Sequence, residues 1–207
     1  AALRARRRTG TCSGVAALGA YLAAATVPPD QAAAMVDAAV AAHDAHGVDD
    51  PRDGASVFVT GSAHPDASVY DAIEASALVV IGEDHDTGDA AWIGDAVDAA
   101  DLDEAIAQLA RRHATRPPLA ARSRTSERAI ELDRRLDETG AAGVLALIRD
   151  LDDAPAWDLS GQRVVMDRRG LPFATAARIA PDAALREAEA AAATLAGELA
   201  GAGQVAR

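Results

Sequence analysis

The chain has 207 residues, half of them apolar, and a formal net charge of −12. Such an acidic surface repels phosphate backbones, which argues against nucleic acid as a partner. The single cysteine, Cys12, allows no disulfide within the chain and no set of thiolates around a metal. No apolar run is long enough to span a bilayer, and we expect a cytoplasmic protein without a membrane segment.

Residues 1–54 are predicted to form a helical hairpin followed by a polar linker. The first helix, SGVAALGAYLAAA, ends before a Pro-Pro pair. Asp30 is a natural N-cap for the second helix, which stops at Gly47. The basic start resembles a signal peptide only faintly, because Gly, Thr and Ser interrupt an Ala-rich stretch, and we reject that interpretation.

Residues 55–207 are predicted to form a Rossmann-like domain of alternating strands and helices. The apolar runs SVFVTGS, ALVVIG, GVLALIRD and LPFATAARI are the expected strands, with helices at 65–76, 99–113, 125–139, 156–168 and 182–200. Strands without alternation are buried on both faces, as in parallel sheets. The pattern predicts an α/β fold: a flavodoxin/Rossmann-like, mostly parallel sheet flanked by helices, with the N-terminal hairpin added.

Ligands of such sheets bind at the carboxyl ends of the strands, so the strand-end loops are the candidate sites. In TGSAHPD, Gly61 permits close backbone approach, and a helix expected to start at Pro65 and Asp66 could hold an anion. His64 lies in the same loop. An ordinary turn remains the alternative, since the glycine spacing of a dinucleotide fingerprint is missing. The predicted cofactor-binding residues are Thr60, Gly61, Ser62, Thr87 and Gly88.

The second loop, GEDHDTG, places Glu83, Asp84, His85 and Asp86 in four consecutive positions. Carboxylates beside an imidazole suit a hard divalent metal or acid–base chemistry, and a solvated acidic loop is the alternative. The third loop, RDLDDAP, adds Asp150. The candidates are therefore His85, Asp86 and Asp150 for catalysis and Asp84, Asp86 and Asp150 for a metal. A phosphoreceiver domain would need a late Lys, and the chain has none.

The order of these segments resembles the 2-hydroxyacyl-CoA dehydratase and benzoyl-CoA reductase family. The segments that carry the resemblance are LRARRRTGTCSGVAAL, VFVTGSAHPD, GEDHDTG, ATRPPLAAR, GVLALIRDLDDAP and the strand start at Leu171-Pro172. The resemblance implies an iron–sulfur cluster held by cysteine thiolates in relatives, a two-subunit enzyme and a CoA thioester substrate. It places Asp86 and the neighbourhood of Leu151 where relatives carry cysteines.

The resemblance therefore implies a subunit or fragment, similar to the C-terminal half of a family subunit, that lacks the cluster. If active it would be a lyase, working as a homo- or hetero-oligomer with a dehydratase-family subunit. No cofactor is expected in this chain itself. Tyr21, Leu22, Met35 and Val36 are candidates for an exposed interface. Two alternatives stay open: a hydrolase or lyase that uses a divalent metal at the acidic loops, and a non-catalytic structural domain.

Overall fold

The computed structural model of the protein describes residues 2–45, 53–92 and 98–205. Within these ranges the helices are α1 (Ala2–Arg8), α2 (Gly14–Thr26), α3 (Pro29–Ala45), α4 (Ser68–Glu74), α5 (Leu102–Ala114), α6 (Thr125–Thr139), α7 (Asp153–Arg169) and α8 (Ala184–Val205). The strands are β1 (Ala55–Gly61), β2 (Leu78–Glu83), β3 (Gly143–Arg149) and β4 (Phe173–Ile179).

These strands form one sheet in the order β2-β1-β3-β4, and every neighbouring pair is parallel. Val57 of β1 pairs with Val80 on one side and with Gly143 on the other. Both faces of β1, β2 and β3 are covered, which explains why their sequences are continuous apolar runs. The predicted α/β fold with a flavodoxin-like parallel sheet is confirmed.

The core has two layers because successive side chains of a strand point to opposite faces. Val57 and Val59 face α2, α4 and α8, whereas Phe58 faces α6 and α7. Ala-rich α8 lies close to the sheet through Ala188 and Ala192, which are fully buried. The sheet is thus flanked by helices on both sides, as the alternation of strands and helices predicts.

Helix α6 shows how local signals set an element's bounds, and its bounds are those predicted. At its start the Arg124 backbone N–H donates to the Glu127 carboxylate over 3.1 Å. At its end Gly140 adopts the left-handed conformation (φ 68°), and its N–H donates to the Leu136 carbonyl. A glycine in this conformation is a common helix stop.

Helix α4 begins later than predicted. Asp66 accepts a hydrogen bond from the Ser68 backbone N–H at 2.9 Å, so residues 66–68 form a side-chain-closed turn and not a helical turn. The helix then runs only from Ser68 to Glu74. The predicted helix start at Pro65 and Asp66 is therefore wrong, and binding of an anion by this loop stays a prediction.

Helix α2 of the N-terminal hairpin packs directly on the sheet. Leu18 of α2 is fully buried among β1, β2 and α4. Tyr21 is only 6% exposed, so the expectation that it lies on an open interface is wrong, because its ring packs beside Cys12 and Trp92. Met35 of α3 is exposed. The division of the chain after residue 54 stays a prediction.

Helix α1 was not predicted, and its arginines prove important for the site below. Among the described helices, none is both long enough and apolar enough to cross a membrane. Helix α5 buries none of its residues and exposes Leu102, Ile106 and Leu109.

Candidate functional site

The three predicted loops follow β1, β2 and β3, and because these strands are parallel the loops lie at the same end of the sheet, which we call the carboxyl edge. Strands β2 and β3 lie on opposite sides of β1, so the chain passes from β1 to its neighbour on one side and later returns to its neighbour on the other side. Such a reversal point between neighbouring parallel strands is the usual place of a ligand in this type of fold. Backbone hydrogen bonds tie the loops to the sheet: Asp84 N–H donates to the Val59 carbonyl, Ser62 N–H to the Leu147 carbonyl and Asp150 N–H to the Ile179 carbonyl.

Glu83 is fully buried at the end of β2 and forms an ion pair with Arg7 of α1. Two guanidinium nitrogens of Arg7 contact its two carboxylate oxygens, one of them at 2.8 Å. Burial by itself would raise the pKa of Glu83, but the Arg7 cation outweighs burial and lowers the pKa to about 2. The Asp89 backbone N–H also donates to this carboxylate at 2.7 Å. Glu83 is therefore an ionised group that anchors α1 and the β2 loop.

Two histidines and a tyrosine surround Glu83. The Tyr70 hydroxyl lies 2.8 Å from His85 Nε2 and 3.1 Å from a Glu83 oxygen. The His64 and His85 rings pack edge to face, with 5.3 Å between their centroids. Burial, and then the neighbouring His85, lower the pKa of His64 to about 3, and burial also lowers the pKa of His85. Both imidazoles are therefore neutral at pH 7.

His64 is the least satisfied member of this cluster. It is 4% exposed, and its Nε2 has no hydrogen-bond partner among the described residues. In a neutral imidazole this nitrogen can form one hydrogen bond, as the donor if it carries the ring proton and as the acceptor if it does not. His64 is thus a buried polar group at this end of the sheet with capacity for a further hydrogen bond.

Asp84 points to the opposite face of the sheet and pairs with Arg128 of α6. Arg128 is fully buried; its NH2 lies 3.1 Å from Asp84 and its Nε 3.0 Å from Asp158 of α7. Burial raises the pKa of Asp158 although Arg128 opposes the rise. The acidic loop is therefore not a solvated one: Glu83 and Asp84 are each neutralised by a buried arginine from a different helix.

The predicted cofactor-binding residues serve contacts within the fold. The Thr60 hydroxyl accepts from Gln162 at 2.9 Å, and the Ser62 hydroxyl accepts from the Arg149 N–H at 2.9 Å. Gly61 has φ 115°, and a Cβ there would lie 2.3 Å from the Leu147 carbonyl oxygen. The close backbone approach predicted at Gly61 is therefore made by the backbone of β3.

The β2 loop shows the same use of small residues. Thr87 Oγ1 lies 3.2 Å from His85 Nδ1, and a Cβ on Gly88 would lie 2.5 Å from a Glu83 oxygen. Their binding of a cofactor, like that of the β1 residues, stays a prediction.

Asp86, Asp150 and Leu151 lie on the surface of this edge. Asp84 does not join Asp86 and Asp150, because Arg128 holds it inside. Within residues 2–45, 53–92 and 98–205, no three His, Cys, Asp or Glu side chains are placed to hold a metal ion. A metal site on Asp84, Asp86 and Asp150, and catalysis by His85, Asp86 or Asp150, stay predictions.

Sequence reasoning missed both buried arginines. A signal for Arg128 exists, because it stands four residues before Leu132 and eight before Leu136, on the apolar stripe of α6. Both leucines are buried, and Arg128 shares their face. Arg7 carries no such signal, since it lies in a run of three arginines and only the packing of α1 against β2 turns one of them inward.

The family model described as 2-hydroxyglutaryl-CoA dehydratase, D-component, matches residues 1–174. This range includes α1 with Arg7, all three strand-end loops and α6 with Arg128. No curated protein matches the chain.

Proposed function

This chain belongs to the 2-hydroxyglutaryl-CoA dehydratase D-component family, and from that membership we propose that it is a cluster-free subunit of a dehydratase-type complex. In this proposal a second, cysteine-bearing family subunit holds the iron–sulfur cluster, and the two chains act together on a CoA thioester. The present chain contributes the carboxyl edge of its sheet to their contact.

The residues present do not fit an iron–sulfur cluster. Such clusters are held by thiolates, which are soft ligands. Asp86 offers a hard oxygen and Leu151 offers no donor at the positions where the resemblance implies cysteines. Cys12 is 6% exposed in the connection between α1 and α2, packed against Ala17 and Tyr21. We therefore derive no step that passes through a cluster in this chain.

The conformation of Leu151 is the observation that carries the partner part of the proposal. Its side chain is 93% exposed, and its φ of 64° places it in the left-handed region. A non-glycine residue in that region costs about 1–2 kcal/mol. An isolated exposed leucine needs no explanation, but a strained one at a strand end points to a functional role. We propose that Leu151 enters an apolar recess of the partner subunit.

The residues around Leu151 give this edge a defined chemistry. Asp150 precedes it in the chain and is exposed, as is Asp86 in the β2 loop, and buried His64 in the β1 loop has a nitrogen without a partner in the described structure. A neutral buried imidazole can hold or move one proton of a bound acyl group when the edge is covered by a partner. In this proposal His64 is the residue of the chain that touches the substrate.

The experiment is co-expression of the tagged chain with a cysteine-bearing family subunit and anaerobic purification. We expect a complex whose iron and sulfide match one cluster per partner, and 2-hydroxyacyl-CoA dehydration only by the complex supplied with a reductant. Leu151→Asp is expected to abolish complex formation. Val164→Asp is the matched control, because Val164 is also exposed (66%) but lies within α7.

Two outcomes would refute the proposal. The first is a stoichiometric cluster on the chain by itself after anaerobic reconstitution. The second is a complex that forms with Leu151→Asp as well as with Val164→Asp. That result would show that the loop after β3 does not contact the partner.

A further inference from the structure

A cavity next to the β2 loop carries an unusual concentration of positive charge. It has a volume of about 340 Å³ and lies among α1, β2, the end of α5 and α6. Seven of its fourteen lining residues are arginines. The volume falls within the range of small-molecule sites, roughly 300–1,000 Å³. This cavity stands out on a chain whose formal net charge is −12.

Several of these arginines are held in position by carboxylates. Arg4 Nε donates to Asp89 at 2.6 Å, and the Tyr21 hydroxyl donates to the same oxygen at 2.7 Å. Arg7 pairs with Glu83 as described above. Arg135 Nε donates to Glu131 at 2.8 Å. These contacts orient the guanidinium groups before any ligand arrives, which reduces the entropy that binding must overcome.

Two other lining arginines have no such partner. Arg8 at the end of α1 and Arg116 after α5 form no ion pair with any carboxylate in the described part of the chain. They line the same cavity as the oriented arginines, so cations gather there from three segments. A bound anion would neutralise cations that have no carboxylate partner of their own.

We infer that this cavity binds a diphosphate group. Arginine forks match phosphate oxygens in pairs, and a diphosphate offers enough oxygens to meet cations from α1 and α6 together. Trp92 also lines this cavity, and its ring packs against Tyr21 with 5.8 Å between the ring centroids. The diphosphate can belong to free pyrophosphate or to a nucleotide. The inference does not depend on a partner subunit, because the cavity is formed by this chain.

The test uses Trp92 as the reporter. The chain has two tryptophans, and Trp157 is 74% exposed on α7, so Trp157→Phe leaves Trp92 as the sole tryptophan, which is excited selectively. Pyrophosphate is titrated into this variant in low-salt buffer, and calorimetry repeats the titration on the unmodified chain. We expect saturable binding that weakens as salt is added.

Arginine variants then locate the site. Arg8→Gln combined with Arg116→Gln is expected to weaken pyrophosphate binding at least tenfold. Neither change breaks an ion pair of the described structure, and a melting curve checks that the double variant is folded; if it is not, Arg116→Gln alone decides. Arg111→Gln is the matched control, because Arg111 is exposed on α5 and does not line the cavity. It is expected to bind as the parent does.

ADP forms the second arm of the titration. ADP that binds more tightly than pyrophosphate, and is lost with the same arginines, supports a nucleotide ligand. Equal affinities support recognition of the diphosphate alone. The inference is overturned if pyrophosphate shows no saturable binding, or if Arg111→Gln loses as much affinity as the double variant. All of these measurements use the chain by itself, so they are independent of the test for a partner subunit.

Discussion

Replacing Arg128 by Met removes the only cation that the described structure places between Asp84 and Asp158. The side chain is fully buried, and it contacts both carboxylates at 3.0–3.1 Å as well as the Pro118 carbonyl at 3.0 Å. Methionine fills a similar volume without hydrogen bonds. The variant therefore keeps the packing of α6 but leaves two buried carboxylates facing each other without a cation.

Breaking a buried ion pair from one side costs about 3–5 kcal/mol, because the remaining charge stays desolvated. For a chain of this size each kcal/mol lowers the melting temperature by ~2–4 °C. We therefore expect a fall on the order of 6–20 °C at pH 7. The control is Arg168→Met, whose side chain is 61% exposed and pairs with Asp133. An exposed pair is worth about 0–1 kcal/mol.

The loss of stability in the Arg128→Met variant should depend on pH in a direction set by the pKa of Asp158. Burial already raises the pKa of Asp158 with Arg128 present, and loss of Arg128 raises it further. A carboxyl group with a raised folded-state pKa destabilises the fold above that pKa, and the penalty is relieved as the pH falls through it. The destabilisation of the Arg128→Met variant, measured by urea unfolding with circular dichroism, should therefore be smaller at pH 4 than at pH 7.

A rescue separates the charge effect from simple misfit. Adding Asp84→Asn and Asp158→Asn to Arg128→Met removes the buried charges, and most of the lost stability should return. A loss below about 1 kcal/mol at pH 7, the level of an exposed pair, would refute the reasoning. So would a triple variant no more stable than Arg128→Met alone.

Three further predictions concern the same structure. Gly61→Ala should lower the free energy of unfolding by roughly 2–4 kcal/mol through overpacking and backbone strain, because the new Cβ would meet the Leu147 carbonyl. Gly140→Ala, which has open space around it, should lower this free energy by less, as measured by urea unfolding. The pKa of His64 is lowered to about 3 by burial, so the stability that its neutral ring supports should be lost as the pH falls from about 6.5 toward 3; His64→Asn should show a flatter pH dependence of the urea midpoint. The melting temperature should rise with NaCl, because 32 acidic residues face 20 basic ones and the Debye length falls to ~3 Å at 1 M; an unchanged value would contradict this.

The sequence by itself determined the elements whose signals are local. The apolar runs of β1 and β3 indicated strands buried on both faces, and Gly140 marked the end of α6. These features depend on side-chain burial pattern and backbone conformation within a few residues. Their parallel arrangement followed as well, because alternating strands and helices allow few topologies.

Only the tertiary structure decided what the acidic loop does. Glu83 and Asp84 are neighbours in sequence, yet a strand end directs them to opposite faces, one toward Arg7 and the other toward Arg128. Their partners lie 76 and 44 residues away along the chain, and no local pattern specifies such a pairing. A solvated loop was one of two alternatives, yet Glu83 and Asp84 are buried because two distant helices supply their counter-charges. Buried charges require a partner in space, and partners in space are set by the packing of the whole fold.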